Sequence, residues 1–190
     1  MDIGDGFDNA LIRARTGDSE GFCVLWTGLQ ADLRRYLQGL GCDEVEDVAS
    51  ETWLHAIRDL RRFTGAGTDF RAWLFTIGRH RAIDAARSRA RFRDKVRSLV
   101  PGGEPDGRPV EDEVLFRLSG EEAVALMAGL TTDQAAVVGL RVIAGLDTDV
   151  VAEILSKSRG AVRVCLHRAL RALSADPRIR VLAQAGHDGV

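Results

Sequence analysis

The sequence predicts an all-α protein: two small helical domains, an N-terminal helical bundle and a C-terminal helix-turn-helix, joined by a flexible linker. Three observations carry this. Apolar residues recur three and four positions apart, the helical period, while alternating runs are few and no Asn-Gly or Asp-Gly hairpin lies between two of them. Three of the four prolines fall in one stretch, 98–111 (SLVPGGEPDGRPVE), which has no apolar period and reads as a linker. The length of 190 residues suits one domain or two small ones. The expected organisation is therefore 1–97, a linker over 98–111, 112–175, and a tail over 176–190.

Taken in order, a short helix near Ala10–Arg15 should stop at Gly17-Asp18. Ser19 can cap a longer helix running to about Leu40, with Phe22, Leu25, Trp26, Leu29, Leu33 and Leu37 as its core face and Gly39 and Gly41 ending it. A third helix, Val45–Leu60, carries the stripe Val45, Val48, Ala49, Trp53, Ala56, Ile57 and Leu60. Its other side bears Glu44, Asp47 and Glu51 on one face. That face admits two readings: a solvated surface whose acids suit the helix N-terminus, or a docking stripe for a basic partner.

A glycine-bearing loop, 63–69, precedes a helix from about Phe70 to Arg91, in which Phe70, Trp73, Leu74, Phe75 and Ile77 alternate with arginines. Aromatic rings interleaved with cations suit a single-stranded nucleic acid, although Trp73 and Ile77, four apart, also suit a core. The glycine loop allows the close backbone approach that an extruded base needs. Beyond the linker, helices are expected over Glu111–Ala128, Thr131–Ile143, Asp147–Leu155 and Gly160–Leu173, with Gly145 as a break. The last two form a helix-turn-helix whose second helix buries Val162, Leu166, Ala169, Leu170 and Leu173. Arg159, Arg163, His167, Arg168 and Arg171 lie largely off that stripe. Arg163, one turn into the helix, can pair bidentately with guanine in a duplex.

Composition narrows the functional classes. The chain has 45% hydrophobic and 28% charged residues, enough apolar material to bury a core. The three cysteines, Cys23, Cys42 and Cys165, form no CxxC pair or Cys/His cluster, so neither a disulfide framework nor a metal site is expected. No basic-then-apolar leader and no run of about 18 apolar residues appears, so the expectation is a cytoplasmic protein without a membrane span. Nucleotide-binding, metalloprotease and hydrolase motifs are absent, and the adjacent pair Glu121-Glu122 diverges on a helix, so no catalytic residue and no cofactor is expected.

The net charge of −2 seems to argue against a nucleic-acid partner, but it is an average over unlike segments. Residues 58–97 hold 12 basic and 4 acidic side chains, and 157–190 hold 7 and 2; the intervening segments are correspondingly acidic. The two basic segments coincide with the two candidate DNA-facing helices. Arginine outnumbers lysine 24 to 2, which codon bias can explain; codon bias does not explain the clustering.

Together these segments resemble a sigma-70 family RNA polymerase sigma factor of the extracytoplasmic-function (ECF) subgroup. The run 45–56 (VEDVASETWLHA) is similar to the family's EDxxQETFLxAW helix. Residues 70–77 (FRAWLFTI), Arg79-His80 and Ala82-Ile83-Asp84 resemble its FRAWLxxIARNxAID stretch. Val151–Leu155 (VAEIL), with Gly160–Arg163 and Leu166–Ala169, resembles its AEIL and GTVKSRLHRA helices. His80 stands where the family usually has Asn, Ser50 where it has Gln, Lys157 where it has an apolar residue and Cys165 where a basic one is frequent.

The resemblance implies a protein that binds the clamp helices and flap of core RNA polymerase. It implies promoter DNA that is single-stranded at −10 and double-stranded at −35, an anti-sigma factor as regulator, and no cofactor. Carried over by position, it implies polymerase binding through Glu44, Asp47, Glu51 and Trp53. The −10 contacts would come from Phe63, Thr64, Gly65, Arg71, Arg79, His80 and Arg87. The −35 contacts would come from Lys157, Ser158, Arg159, Arg163, His167, Arg168 and Arg171. The rival reading is a sigma-like adaptor that sequesters an anti-sigma factor without initiating transcription.

Overall fold

Residues 5–99, 126–127 and 129–176 are described by a computed structural model, and among them there is no strand. The helices are α1 (Asp5–Arg15), α2 (Ser19–Gly39), α3 (Val45–Asp59) with a 3-10 turn Leu60–Arg62, α4 (Gly67–Leu99), α5 (Thr132–Val138) continuing as a π-helical turn Gly139–Ile143, α6 (Thr148–Ile154) and α7 (Arg159–Ala175). The expected all-helical class holds. Most of the linker and of the helix at Glu111–Ala128, and the tail beyond residue 176, fall outside the described residues. No described helix is long and apolar enough to cross a membrane.

Local chemistry moves several boundaries. Asp18, not Ser19, caps α2: its carboxylate accepts the Glu20 N–H at 2.9 Å, and a carboxylate suits the positive helix end better than a hydroxyl. Helix α1 begins at Asp5 because tertiary contacts hold its first turns. Phe7 packs on Phe70 at 6.5 Å, and Asp8 accepts the Gly67 N–H at 2.5 Å. The same bond, with Asp69 accepting the Ala66 N–H at 2.9 Å, satisfies two amides at the start of α4, so α4 opens three residues before its apolar run.

The N-terminal core is built on Leu25, Leu29, Leu33, Tyr36 and Leu37 of α2, all fully buried, against α3 and α4. Two expected core residues are corrected. Trp26 is 44% exposed, because it sits about 100° round the helix from Leu25. Ile57 is likewise exposed, while Thr52 is buried in the stripe by donating its hydroxyl to the Val48 carbonyl at 2.7 Å. In the C-terminal half, Leu170 is exposed on α7, and Val162 and Ala169 supply its buried positions.

The two helical units share one apolar cluster. Ala136, Val137, Leu140, Ala144 and Leu146 belong to the same buried core as Tyr36, Phe75 and Leu74. Gly139 lies so close to α2 that an added Cβ would stand 2.4 Å from Cδ2 of Tyr36, an approach only glycine permits. Arg71 of α4 reaches across the same seam and donates to the Ala144 carbonyl at 2.9 Å. A second, smaller cluster of Met127, Ala135, Val138 and Ala169 holds α7 to α5.

The cysteines are far from equivalent. Cys23 is exposed, Cys42 is buried, and Cys165 is partly covered; burial pushes both latter thiols up from their usual pKa. In the folded chain a thiol reagent should label Cys23 rapidly and Cys42 only at the rate of unfolding. Two fast-reacting thiols that include Cys42 would contradict this packing. Mass mapping of the labelled peptides decides it.

Candidate nucleic-acid interface

Helix α3 buries one side and presents acids on the other. Glu44, Asp47 and Glu51 line an open cleft of about 530 Å³ whose opposite wall is α4, with Arg81 and Arg89. Those two cations have partners elsewhere: Arg81 meets His55 Nδ1 at 3.0 Å, and Arg89 pairs with Asp43. Glu44, Asp47 and Glu51 make no ion pair among the described residues, so their charge faces outward. Trp53, expected beside them as a contact residue, is instead in the core. Its indole N–H donates to Gln30 at 2.5 Å and Phe22 packs edge-on at 5.6 Å, so it fixes α3 to α2. The exposed apolar residue on this face is Leu54, 66% exposed and three residues after Glu51.

Helix α4 takes up the expected 63–69 loop from Gly67 onward, and Phe63 seats its start on the core. Phe63 stacks on Trp73 at 5.0 Å and meets Phe70 edge-on at 5.7 Å, forming an aromatic cluster under the loop. Thr64 and Gly65 stand exposed above it, and Gly65 has φ 149°, which a side chain would resist. From the loop an outer ridge runs along α4 through Trp73, Thr76, His80 and Arg87, set by the helical period. His80 and Arg87 are exposed on that ridge, and Arg87 lies 3.8 Å from Asp84.

Arg79 and Arg71 are not on the ridge. Arg79 is half-buried, about 100° round α4 from His80. Arg71 has a side chain 6% exposed, with Asp32 at 3.8 Å as its one counter-charge among the described residues. Burial lowers its pKa and Asp32 opposes that shift. It therefore faces the seam in this arrangement, and presents nothing to solvent for DNA.

In the helix-turn-helix, Ser156 adopts φ 52° and turns the chain between α6 and α7. Ser158 caps α7 by accepting the Ala161 N–H at 3.2 Å. Lys157 pairs with Asp133 at 2.8 Å and Arg159 with Asp149 at 2.5 Å, tying the turn to α5 and α6. Arg163, His167, Arg168 and Arg171 are exposed on α7 with no ion pair among the described residues. Of seven residues expected on this face, three hold the turn and four project.

Residues 25–92 match the family model for sigma-70 region 2, and residues 120–173 match that for sigma-70 region 4. The ECF RNA polymerase sigma factor SigL of Mycobacterium tuberculosis is 35% identical over 166 residues, covering 86% of this chain and 87% of SigL. The chain belongs to the ECF RNA polymerase sigma factors. BldN of Streptomyces coelicolor, another ECF sigma factor, is 34% identical over 166 residues, and the alignment covers 85% of this chain but 62% of BldN. The fold is also that of the sigma factor RpoE from Bartonella quintana, solved in complex with the anti-sigma factor NepR, with a TM-score of 0.60 at 24% identity over 80% of this chain and 93% of that one.

In this ECF sigma factor, region 2 thus supplies an acidic α3 face and a ridge on α4, and region 4 supplies the basic outer side of α7. Leu54 escaped the sequence reading because an exposed leucine beside a true core stripe carries no local mark. Two of the departures from the family pattern also find their places. Cys165 packs against the core, so the basic residue frequent there is replaced on a half-covered side of α7. Lys157 is taken up by Asp133.

Proposed function

We propose that this chain is a promoter-specificity subunit that binds core RNA polymerase, recognises and helps melt promoter DNA, and performs no chemistry itself. One observation supports the reading: a single chain combines an outward acidic face on α3 with two separate faces bearing exposed basic side chains, on α4 (His80, Arg87) and on α7 (Arg163, Arg168, Arg171). Acids directed at the basic clamp of a polymerase and cations directed at phosphates are complementary pairings that steer as well as hold. Residues 1–97 would dock and open the −10 element, and 112–175 would hold the −35 duplex, with 98–111 as the connection. Thr64 and Gly65, with His80 and Arg87, are the side suited to an unpaired strand. The net charge of −2 suits a factor that binds DNA poorly alone and well on polymerase.

An anti-sigma factor would hold the chain inactive by covering these faces, as the family to which it belongs implies. The decisive test is transcription in vitro with core polymerase. Promoter-specific transcripts that require this chain support the proposal. Polymerase binding without initiation would favour the adaptor reading.

Within this reading, Arg163→Ala should weaken binding to the −35 duplex by about 1–3 kcal/mol and relax the preference at one base pair, as loss of a bidentate base contact does. A loss equal on all sequences, measured by competition binding, would make Arg163 a phosphate contact instead.

A further inference from the structure

The outermost line of α7 takes only one of its four arginines, Arg171. At 100° per residue, Val162, Leu166, Ala169 and Leu173 point to the core, and Gly160, Val164, His167 and Arg171 form the line opposite. The exposures agree: Val162 and Ala169 are buried, whereas Val164 is 50% exposed. Arg163 and Arg168 stand to either side of this line. Lys157 and Arg159, which precede it, pair with Asp133 and Asp149. In front of Gly160 the space is empty, since an added Cβ would meet only the Ser158 hydroxyl at 4.0 Å. The helix therefore presents bare backbone, then an isopropyl group, then an imidazole, between flanking cations.

Flanking cations fit phosphates and bring such a helix into a major groove. There, every hydrogen-bonding edge is polar, and the apolar group that a base pair displays is the C5 methyl of thymine. An exposed valine at the centre of the inserted face has no hydrogen-bonding partner to offer, so its match is that methyl. Resting on the promoter-recognition role proposed for α7, we propose that Val164 contacts the C5 methyl of one thymine and sets a thymine preference at that base pair. The bare first turn at Gly160 lets the backbone approach closely enough for the short valine side chain to reach.

The test uses core RNA polymerase carrying the full chain and duplexes randomised across the upstream promoter element, with bound sequences recovered and counted. The expected result is thymine enriched at one position, where deoxyuridine, which lacks only the methyl, weakens binding about fourfold. Val164→Ser should abolish both the enrichment and the deoxyuridine penalty while leaving neighbouring preferences and the melting temperature unchanged; Val164→Ile should retain both. A deoxyuridine penalty that survives Val164→Ser overturns the assignment, as does a wild-type chain indifferent to deoxyuridine at every selected thymine. If the chain selects no sequence beyond that bound by core polymerase alone, the promoter-recognition reading fails, and the assignment with it.

Discussion

Reversing Asp47 and Glu51 together, as Asp47→Lys with Glu51→Lys, should lower affinity for core RNA polymerase by roughly 10- to 100-fold, the scale on which like charges oppose one another across an interface. Both side chains are exposed and lack ion pairs among the described residues, so the folded chain should lose little. Circular dichroism and thermal melting provide that control. The loss should appear mainly in the association rate and shrink as salt is raised, because outward charges steer encounter. Binding measured by surface plasmon resonance at two ionic strengths separates these effects. Unchanged affinity would remove α3 from the docking surface. Trp53→Ala would not serve as a substitute test: it would open a cavity between α2 and α3 and weaken binding through the fold.

Arg71→Ala should cost about 1–3 kcal/mol of stability, because it strips the buried Ala144 carbonyl of its donor, while Asp32 keeps Arg35 at 3.0 Å. It should also loosen the contact between the two helical units, read as a larger radius of gyration in small-angle scattering. Arg71→Met keeps much of the buried volume and removes the Arg71 Nε, which is buried without a hydrogen-bond partner. It should therefore lose less than alanine. Equal melting temperatures and equal radii for wild type and Arg71→Ala would show that the seam does not depend on this side chain.

The helical class and the acidic face on α3 were legible because both rest on short-range periodicity. Where reading failed, a side chain's chemistry and its position pointed in different directions. Arg71 looks like a DNA contact by charge, yet Leu74, Phe75, Gly78 and Ala82, on the same helical face, are all buried, and that spacing was the available signal. Trp53 belonged both to an apolar stripe and to a family motif, and the stripe decided its place. Tyr36, absent from the expected core face of α2, lies eleven residues after Leu25 on that same face and is fully buried. The approach of Gly139 to Tyr36 joins residues about a hundred positions apart in the chain, and no local pattern encodes it.

That long-range approach changes what a substitution means in this molecule. With Tyr36, Phe75, Leu140 and Ala144 in one apolar cluster, the two helical units should melt together rather than as independent parts. A lesion at Leu140 would be felt at α2, and one at Leu33 would be felt by the helix-turn-helix. Loss of duplex recognition is therefore not, by itself, evidence that the altered residue lies near DNA. A shared core makes location and phenotype separate facts in this chain.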